Sequence, residues 1–307
     1  MSTSLFIEQL LNGLQFGVML FLMSAGLTLV FGVMGLINLA HGSLYMVGAF
    51  AAAAVAGWSG SFWLGLVASL MAAALAGALV EMVVLRRLYQ RDHLDQVLAT
   101  FALILMFSEG TRWLFGAFPL YLDVPEILAG SVHLPVIDIV YSRYRLAIIV
   151  CGVVIACALY LLIARTRLGI RIRAGQSDRQ MIAALGVDIS TLYTIVFALG
   201  AALAGLAGAL VGAIQSVEVG MGEPVLILAF VVIVIGGIGS IKGALIGAII
   251  VGLTDTMGRF LLPVFFRQFL DNAAASSVGS ALASMLIYIV MALILIIKPS
   301  GLFGKPA

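Results

Sequence analysis

Apolar residues run along this chain in nine blocks, at about 9–33, 44–57, 62–85, 96–116, 146–164, 190–213, 225–240, 244–258 and 281–297, with short polar segments between them. A helix needs roughly 20 apolar residues to cross the hydrocarbon of a bilayer, so each block spans it or nearly does. The pattern predicts an all-α polytopic membrane protein, a single bundle over residues 1–307 with about 8–9 transmembrane segments. Two blocks, 44–57 and 244–258, are short, and both follow a break that contains glycine.

The first break is Gly32-Val33-Met34-Gly35-Leu36-Ile37-Asn38-Leu39-Ala40-His41-Gly42-Ser43, inside a stretch with no Lys or Arg before Arg86. Irregular backbone at membrane depth persists only where protein or a lined cavity covers the freed amides and carbonyls. Asn38, His41, Gly42 and Ser43 are therefore candidates for a translocation pathway: three offer hydrogen-bonding side chains, and glycine lets the chain turn. For a lone histidine such as His41, structural support of the break competes with substrate contact. A second break, Gly236-Gly237-Ile238-Gly239-Ser240-Ile241-Lys242-Gly243, adds Gly236, Gly237, Gly239 and Ser240 to the candidates. Paired glycine-broken segments in two halves of a membrane chain point to a shared central path.

Charge placement orients the bundle. Arg86, Arg87 and Arg91 fall in one loop, Arg165, Arg167, Arg171, Arg173 and Arg179 in another, and Lys298 and Lys305 near the C-terminus. The positive-inside rule puts all three in the cytoplasm. Residues 117–144, with Asp123, Glu126 and Asp138 against Arg143 and Arg145, and 214–224, with Glu218 and Glu223, then lie outside. Counting full crossings gives an external N-terminus and an internal C-terminus. Since the N-terminal stretch lacks a basic n-region and a small-residue cleavage site, the first span is expected to be retained.

Composition agrees with this picture: 63% of residues are hydrophobic and 10% charged, and mean hydropathy is +1.21. Soluble domains carry roughly 25% charged residues. Cys151 and Cys157 sit in one apolar block and indicate neither a disulfide nor a metal site. His41, His93 and His133 lie in separate regions and no H-E-x-x-H occurs, which leaves no catalytic or metal-ligating set. Glu81 with Arg86, Glu109 with Arg112, and Asp255 with Arg259 are spaced as interfacial ion pairs. Lys242 is placed to snorkel.

Helices in lipid associate through close backbone approach, so small residues four apart mark contact faces. Gly200, Ala204, Gly208 and Gly212 form one such stripe, Ala244, Ala248 and Gly252 a second, and Gly13 and Gly17 a third.

The segment at about 165–190 carries the other strong signal. Ser177-Asp178-Arg179-Gln180 has the form of a capping box, Gly186 is placed to stop a helix, and Asp178–Leu185 would span about 12 Å. Met181, Ile182 and Leu185 then share a face, and an apolar face on so short a helix outside the membrane requires a partner surface. Docking on its own bundle and docking on another protein both satisfy that requirement.

Three stretches together resemble a known family: Gly26-Leu27-Thr28-Leu29-Val30-Phe31-Gly32-Val33-Met34 with Ile37-Asn38-Leu39-Ala40-His41-Gly42, then Ile182-Ala183-Ala184-Leu185-Gly186-Val187, then Gly236-Gly237-Ile238-Gly239-Ser240. The chain resembles the LivH-type permease subunits of branched-chain amino-acid ABC importers over about residues 8–300. The resemblance implies a transport subunit rather than an enzyme, in a bacterial inner membrane, without a cofactor of its own. Its implied partners are a second, LivM-like permease, two cytoplasmic ATPases that bind ATP and Mg, and a periplasmic substrate-binding protein. Membrane lipid surrounds it, and no nucleic acid is involved. In this family a short cytoplasmic helix couples to the ATPase; the matching residues here are Asp178, Arg179, Ile182, Ala183, Ala184, Leu185 and Gly186. The fuller cytoplasmic motif of many ABC permeases begins Glu-Ala-Ala, and only Ala183, Ala184 and Gly186 match it. Alternatives left open are a related ABC importer for urea, short amides or other amino acids, and an ion-coupled secondary transporter.

Overall fold

The computed structural model describes residues 3–89, 91–134 and 139–304. Lys305, Asp138 and the Arg179 side chain lie outside the described residues. Each apolar block is a helix: α1 (Thr3–Met34), α2 (His41–Ser59), α3 (Phe62–Val83), α4 (His93–Phe115), α5 (Arg143–Arg165), α8 (Ile189–Gly212), α9 (Gly222–Gly236), α10 (Ile241–Phe266) and α11 (Asn272–Ile297). Two shorter helices, α6 (Arg167–Ser177) and α7 (Arg179–Ala184), fill the basic segment between α5 and α8. The loop between α4 and α5 holds a small hairpin, β1 (Ser131–Leu134) antiparallel to β2 (Ile139–Ser142), pairing Ser131 with Ser142.

Among the described residues, eight helices have the length and apolar composition to cross a membrane. The short one is α9, whose 15 residues rise about 22 Å. This corrects the expectation that 44–57 and 244–258 are the short segments. Helix α2 starts earlier, because His41-Gly42-Ser43 form its first turn and the break is confined to 35–40. Helix α10 runs on to Phe266, since its polar Asp255 and Arg259 pair with each other at 2.9 Å and so are carried on the helix.

The buried centre is α1, flanked by α8, while α4, α5 and α11 expose most of their length. Close backbone approach holds the centre together, as the small-residue stripes predict. A Cβ on Gly17 would come within 2.9 Å of the Ala248 carbonyl, one on Gly200 within 2.8 Å of the Gly26 carbonyl, and one on Gly205 within 3.0 Å of the Ser69 carbonyl. Gly48 sits directly on Gly205, and Gly208 on the Tyr45 carbonyl. Inside α10, Pro263 is packed against Gly279 of α11, 2.6 Å from where a Cβ would stand.

The three basic regions share one end of the bundle. Leu302 and Phe303 donate to the carbonyls of Ile235 and Gly236 at 2.9 Å, which ties the C-terminal segment to the end of α9. Gly32 at the end of α1 faces both Gln176 of α6 and Gly239 of the turn before α10. Arg86 meets Thr194 at the start of α8. At the opposite end Leu120 and Val217 bridge the two acidic loops, with N–H···O distances of 2.9 and 2.8 Å.

Candidate translocation breaks and the coupling segment

At the first break the chain leaves α1 through Gly35, at φ 66°, and folds back along the bundle. Asn38 organises the turn: its Oδ1 accepts from the Ala40 amide at 3.1 Å and its carbonyl from the His41 amide at 3.4 Å. His41 then opens α2, fully buried, beside the Met23 carbonyl of α1 without closing a full hydrogen bond to it. Its Nε2 is 3.0 Å from where a Cβ on Gly26 would stand, so only glycine there leaves room for the imidazole. Gly26 lies eight residues before the end of α1 at Met34, about 12 Å along the axis, which places the histidine inside the bundle rather than at its face.

Gly42 packs against the Gly222 carbonyl, 2.8 Å from a built Cβ, and joins the first turns of α2 and α9. Ser43 is buried next to it. Around this break Thr28 Oγ1, Asn38 Nδ2, both His41 nitrogens and the Tyr45 hydroxyl are buried with no hydrogen-bond partner among the described residues. Buried polar atoms are normally paired, and such a cluster marks a site held in a costly arrangement.

The second break is a different kind of place. Gly237, at φ 98°, is covered by Gly304, and Gly236 by Gly243. Gly239, at φ 78°, and Ser240 border two cavities, one of about 830 Å³ between α1, α5 and α10 and one of about 630 Å³ beside the C-terminal segment. Gln176 borders both as well. Ser240 caps α10, its hydroxyl accepting from the Gly243 amide at 3.0 Å. The candidates thus fall into a sealed group, Asn38, His41, Gly42 and Ser43, and a group at the basic end, of which Gly239 and Ser240 face open space.

In the candidate coupling segment Asp178, not Ser177, is the cap of α7; Ser177 belongs to α6. Asp178 Oδ1 accepts from the amides of Gln180 at 2.9 Å and Met181 at 3.0 Å. The helix covers Arg179–Ala184, shorter than the expected Asp178–Leu185, because Gly186 at φ 84° closes it with its amide on the Ala183 carbonyl. The predicted apolar face is divided. Ile182 is 4% exposed and anchored in the protein, whereas Met181 and Leu185 are 60% and 76% exposed, with Ala183 and Ala184 exposed between them. Asp188 then caps α8, accepting from the amides of Ser190 and Thr191 and from the Thr191 hydroxyl. That hydroxyl, more than any other contact, holds its carboxyl below the usual carboxylate range.

The Glu81–Arg86 pair expected from spacing is present at 3.1 Å, with the carboxylate fully buried. Two further members escaped the sequence reading: Tyr89 donates to Glu81 at 2.6 Å and Thr194 of α8 at 2.6 Å. Burial, followed by that carboxylate, pushes the Tyr89 phenol well above its ordinary pKa, so it stays a donor. Among the described residues no three His, Cys, Asp or Glu side chains are grouped to hold a metal.

A helical bundle built on backbone contacts, with eight helices among the described residues long and apolar enough to cross a membrane, defines a multi-pass membrane protein. The chain belongs to the family described as branched-chain amino acid transport system / permease component, whose model matches residues 9–295. It is 29% identical to the high-affinity branched-chain amino acid transport system permease protein BraD of Pseudomonas aeruginosa, over 98% of this chain and 96% of that one. It is 26% identical to the permease protein LivH of Escherichia coli, with the same coverage. The probable branched-chain amino acid transport permease protein LivH of Methanocaldococcus jannaschii is 27% identical, over 93% of this chain and 89% of that one. No solved structure matches the chain.

Proposed function

We propose that this chain is the permease subunit of an ATP-binding-cassette importer that carries leucine, isoleucine or valine inward by alternating access. A second permease of LivM type, two ATPases that bind ATP and Mg, and a secreted substrate-binding protein complete the machine. The basic end faces the cytoplasm, in keeping with the three Arg- and Lys-bearing regions gathered there. The chain itself supplies shape and hydrogen bonding and performs no reaction.

The observation that carries this reading is α7. It is capped at Asp178, stopped at Gly186 and anchored by Ile182, and it leaves Met181 and Leu185 exposed beyond the membrane-spanning helices. A fixed helix with an uncovered apolar edge suits a groove on another protein. ATP can shift the permease between states only if the ATPase grips that edge differently in each, since an equal grip shifts nothing. The sealed first break and the glycine turn at the basic end, on its side towards the cavity of about 630 Å³, are the parts proposed to line the path when the bundle opens. Few intramembrane charges suit a branched aliphatic cargo, because a strongly polar site would retain it.

Reconstitution tests the reading. Proteoliposomes holding the full complex and the secreted protein take up labelled leucine only with ATP, and the purified chain alone takes up none. Uptake by the chain alone along an ion gradient overturns the proposal in favour of a secondary transporter. Urea or amide binding by the secreted protein overturns the cargo only.

A further inference from the structure

The cavity of about 830 Å³ between α1, α5 and α10 opens sideways, along the exposed face of α5 that carries Val153, Cys157 and Tyr160. Its walls are almost wholly apolar, with Val18 and Phe21 of α1 at the back. Its polar groups gather at one end. There Arg173 of α6 donates to the Ile163 carbonyl, and Lys242 of α10 stands 5.6 Å over the Tyr160 ring. Both cations are exposed, and no carboxylate lines the cavity.

We propose that this crevice is a binding site for an anionic diacyl phospholipid, with an acyl chain along the apolar walls and the phosphate between Arg173 and Lys242. Sideways access, a dry slot and two cations with no carboxylate partner among the described residues, at the level of the basic loops, together match a lipid lying in its leaflet. The pairing of an ammonium with the Tyr160 face also fits an interfacial level, where aromatic rings and snorkelling lysines meet headgroups. A second permease seated here would instead have to bring acidic groups to meet both cations.

Cys157 gives the readout, because it lines the crevice and the only other cysteine, Cys151, can be replaced by serine. A fluorophore on Cys157 of the full chain in nanodiscs is quenched by brominated phosphatidylglycerol in preference to brominated phosphatidylcholine. A preference of roughly thirty-fold in binding is what two surface cations supply. The double variant R173Q/K242Q abolishes the preference, while R259Q, which removes a cation elsewhere, retains it. Equal quenching by the two lipids in the wild type overturns the proposal, and that result does not depend on whether the double variant folds. In the assembled transporter, protection of Cys157 from both lipids together with its crosslinking to the second permease also overturns it.

Discussion

Thr194 donates its hydroxyl to the buried Glu81 carboxylate at 2.6 Å across 113 positions of sequence, and so fastens the start of α8 to the end of α3. Arg86 closes the arrangement by binding both, Glu81 at 3.1 Å and Thr194 at 2.8 Å. Six residues before Thr194 lies Asp188, the cap through which the segment carrying α7 enters α8. Under the proposed coupling, movement of α7 reaches the bundle through a helix whose second turn is fixed at a polar clamp.

Loss of the clamp has a definite cost. Glu81→Leu leaves Tyr89 and Thr194 without their acceptor, and hydrogen bonds to a charged group contribute about 1.5–3 kcal/mol each. Arg86 is partly exposed and regains water, so the whole network is worth less than a sealed ion pair. Thermal unfolding in detergent should place Glu81→Leu about 2–4 kcal/mol below wild type, with Tyr89→Phe costing about half as much. A Glu81→Leu protein as stable as wild type contradicts the role assigned to the carboxylate.

The divided face of α7 separates folding from coupling. Met181→Asp with Leu185→Asp touches only exposed positions, so the melting temperature should hold while ATP-driven uptake falls to background. A bulky residue at the exposed Ala184 should uncouple ATP hydrolysis from uptake in the same way, whereas one at Gly186 should do so while also straining the left-handed turn that ends α7. Ile182→Asp instead buries an unpaired charge and should lower stability by several kcal/mol. Normal stimulated hydrolysis and uptake in the double aspartate variant would remove α7 as the docking element.

What the sequence made legible follows from the range of the interactions involved. Apolar blocks, small-residue stripes and the pairs Glu81–Arg86, Glu109–Arg112 and Asp255–Arg259 are local patterns, and all stand in the structure. Thr194 was invisible as a partner of Glu81 because no spacing rule links α3 to α8, and Tyr89 because α3 ends before it and the turn between carries it back. Ser177 looked like a cap because serine and aspartate serve equally well, and only the end of α6 decides between them. The meeting of Gly42 with Gly222 was hidden because no spacing rule links α2 to α9; nor did any link Gly32 of the first break to Gly239 of the second, which also face each other.

Glycines that carry backbone contacts should tolerate nothing, and those that do not should tolerate a methyl group. Gly48→Ala forces the carbon into Gly205, and Gly205→Ala into Ala73 and the Ser69 carbonyl, so α2, α3 and α8 must separate. Gly110, in α4, has open space around the same position. Gly110→Ala should leave stability equal or raise it by up to about 1 kcal/mol through helix propensity, while Gly48→Ala lowers it by about 1–3 kcal/mol. The comparison is read as melting temperatures of the three single variants in one detergent, and a neutral Gly48→Ala denies the close approach.

At the sealed break the cost runs the other way. Tyr45 lies one turn beyond His41 on α2, and its hydroxyl, like the imidazole nitrogens and the Thr28 hydroxyl, is buried without a partner among the described residues. An unpaired buried group costs about 1–3 kcal/mol, so removing it while keeping the shape stabilises the fold. Tyr45→Phe and Thr28→Val should therefore each raise stability by about 1 kcal/mol in this conformation. If the break exists to meet cargo or to re-form its hydrogen bonds in the opposite state, the same changes slow uptake, and His41→Ala slows it further. Stability gained without any change in uptake would make the polar atoms structural residue of the turn, and stability lost on Tyr45→Phe would mean that the hydroxyl is satisfied after all.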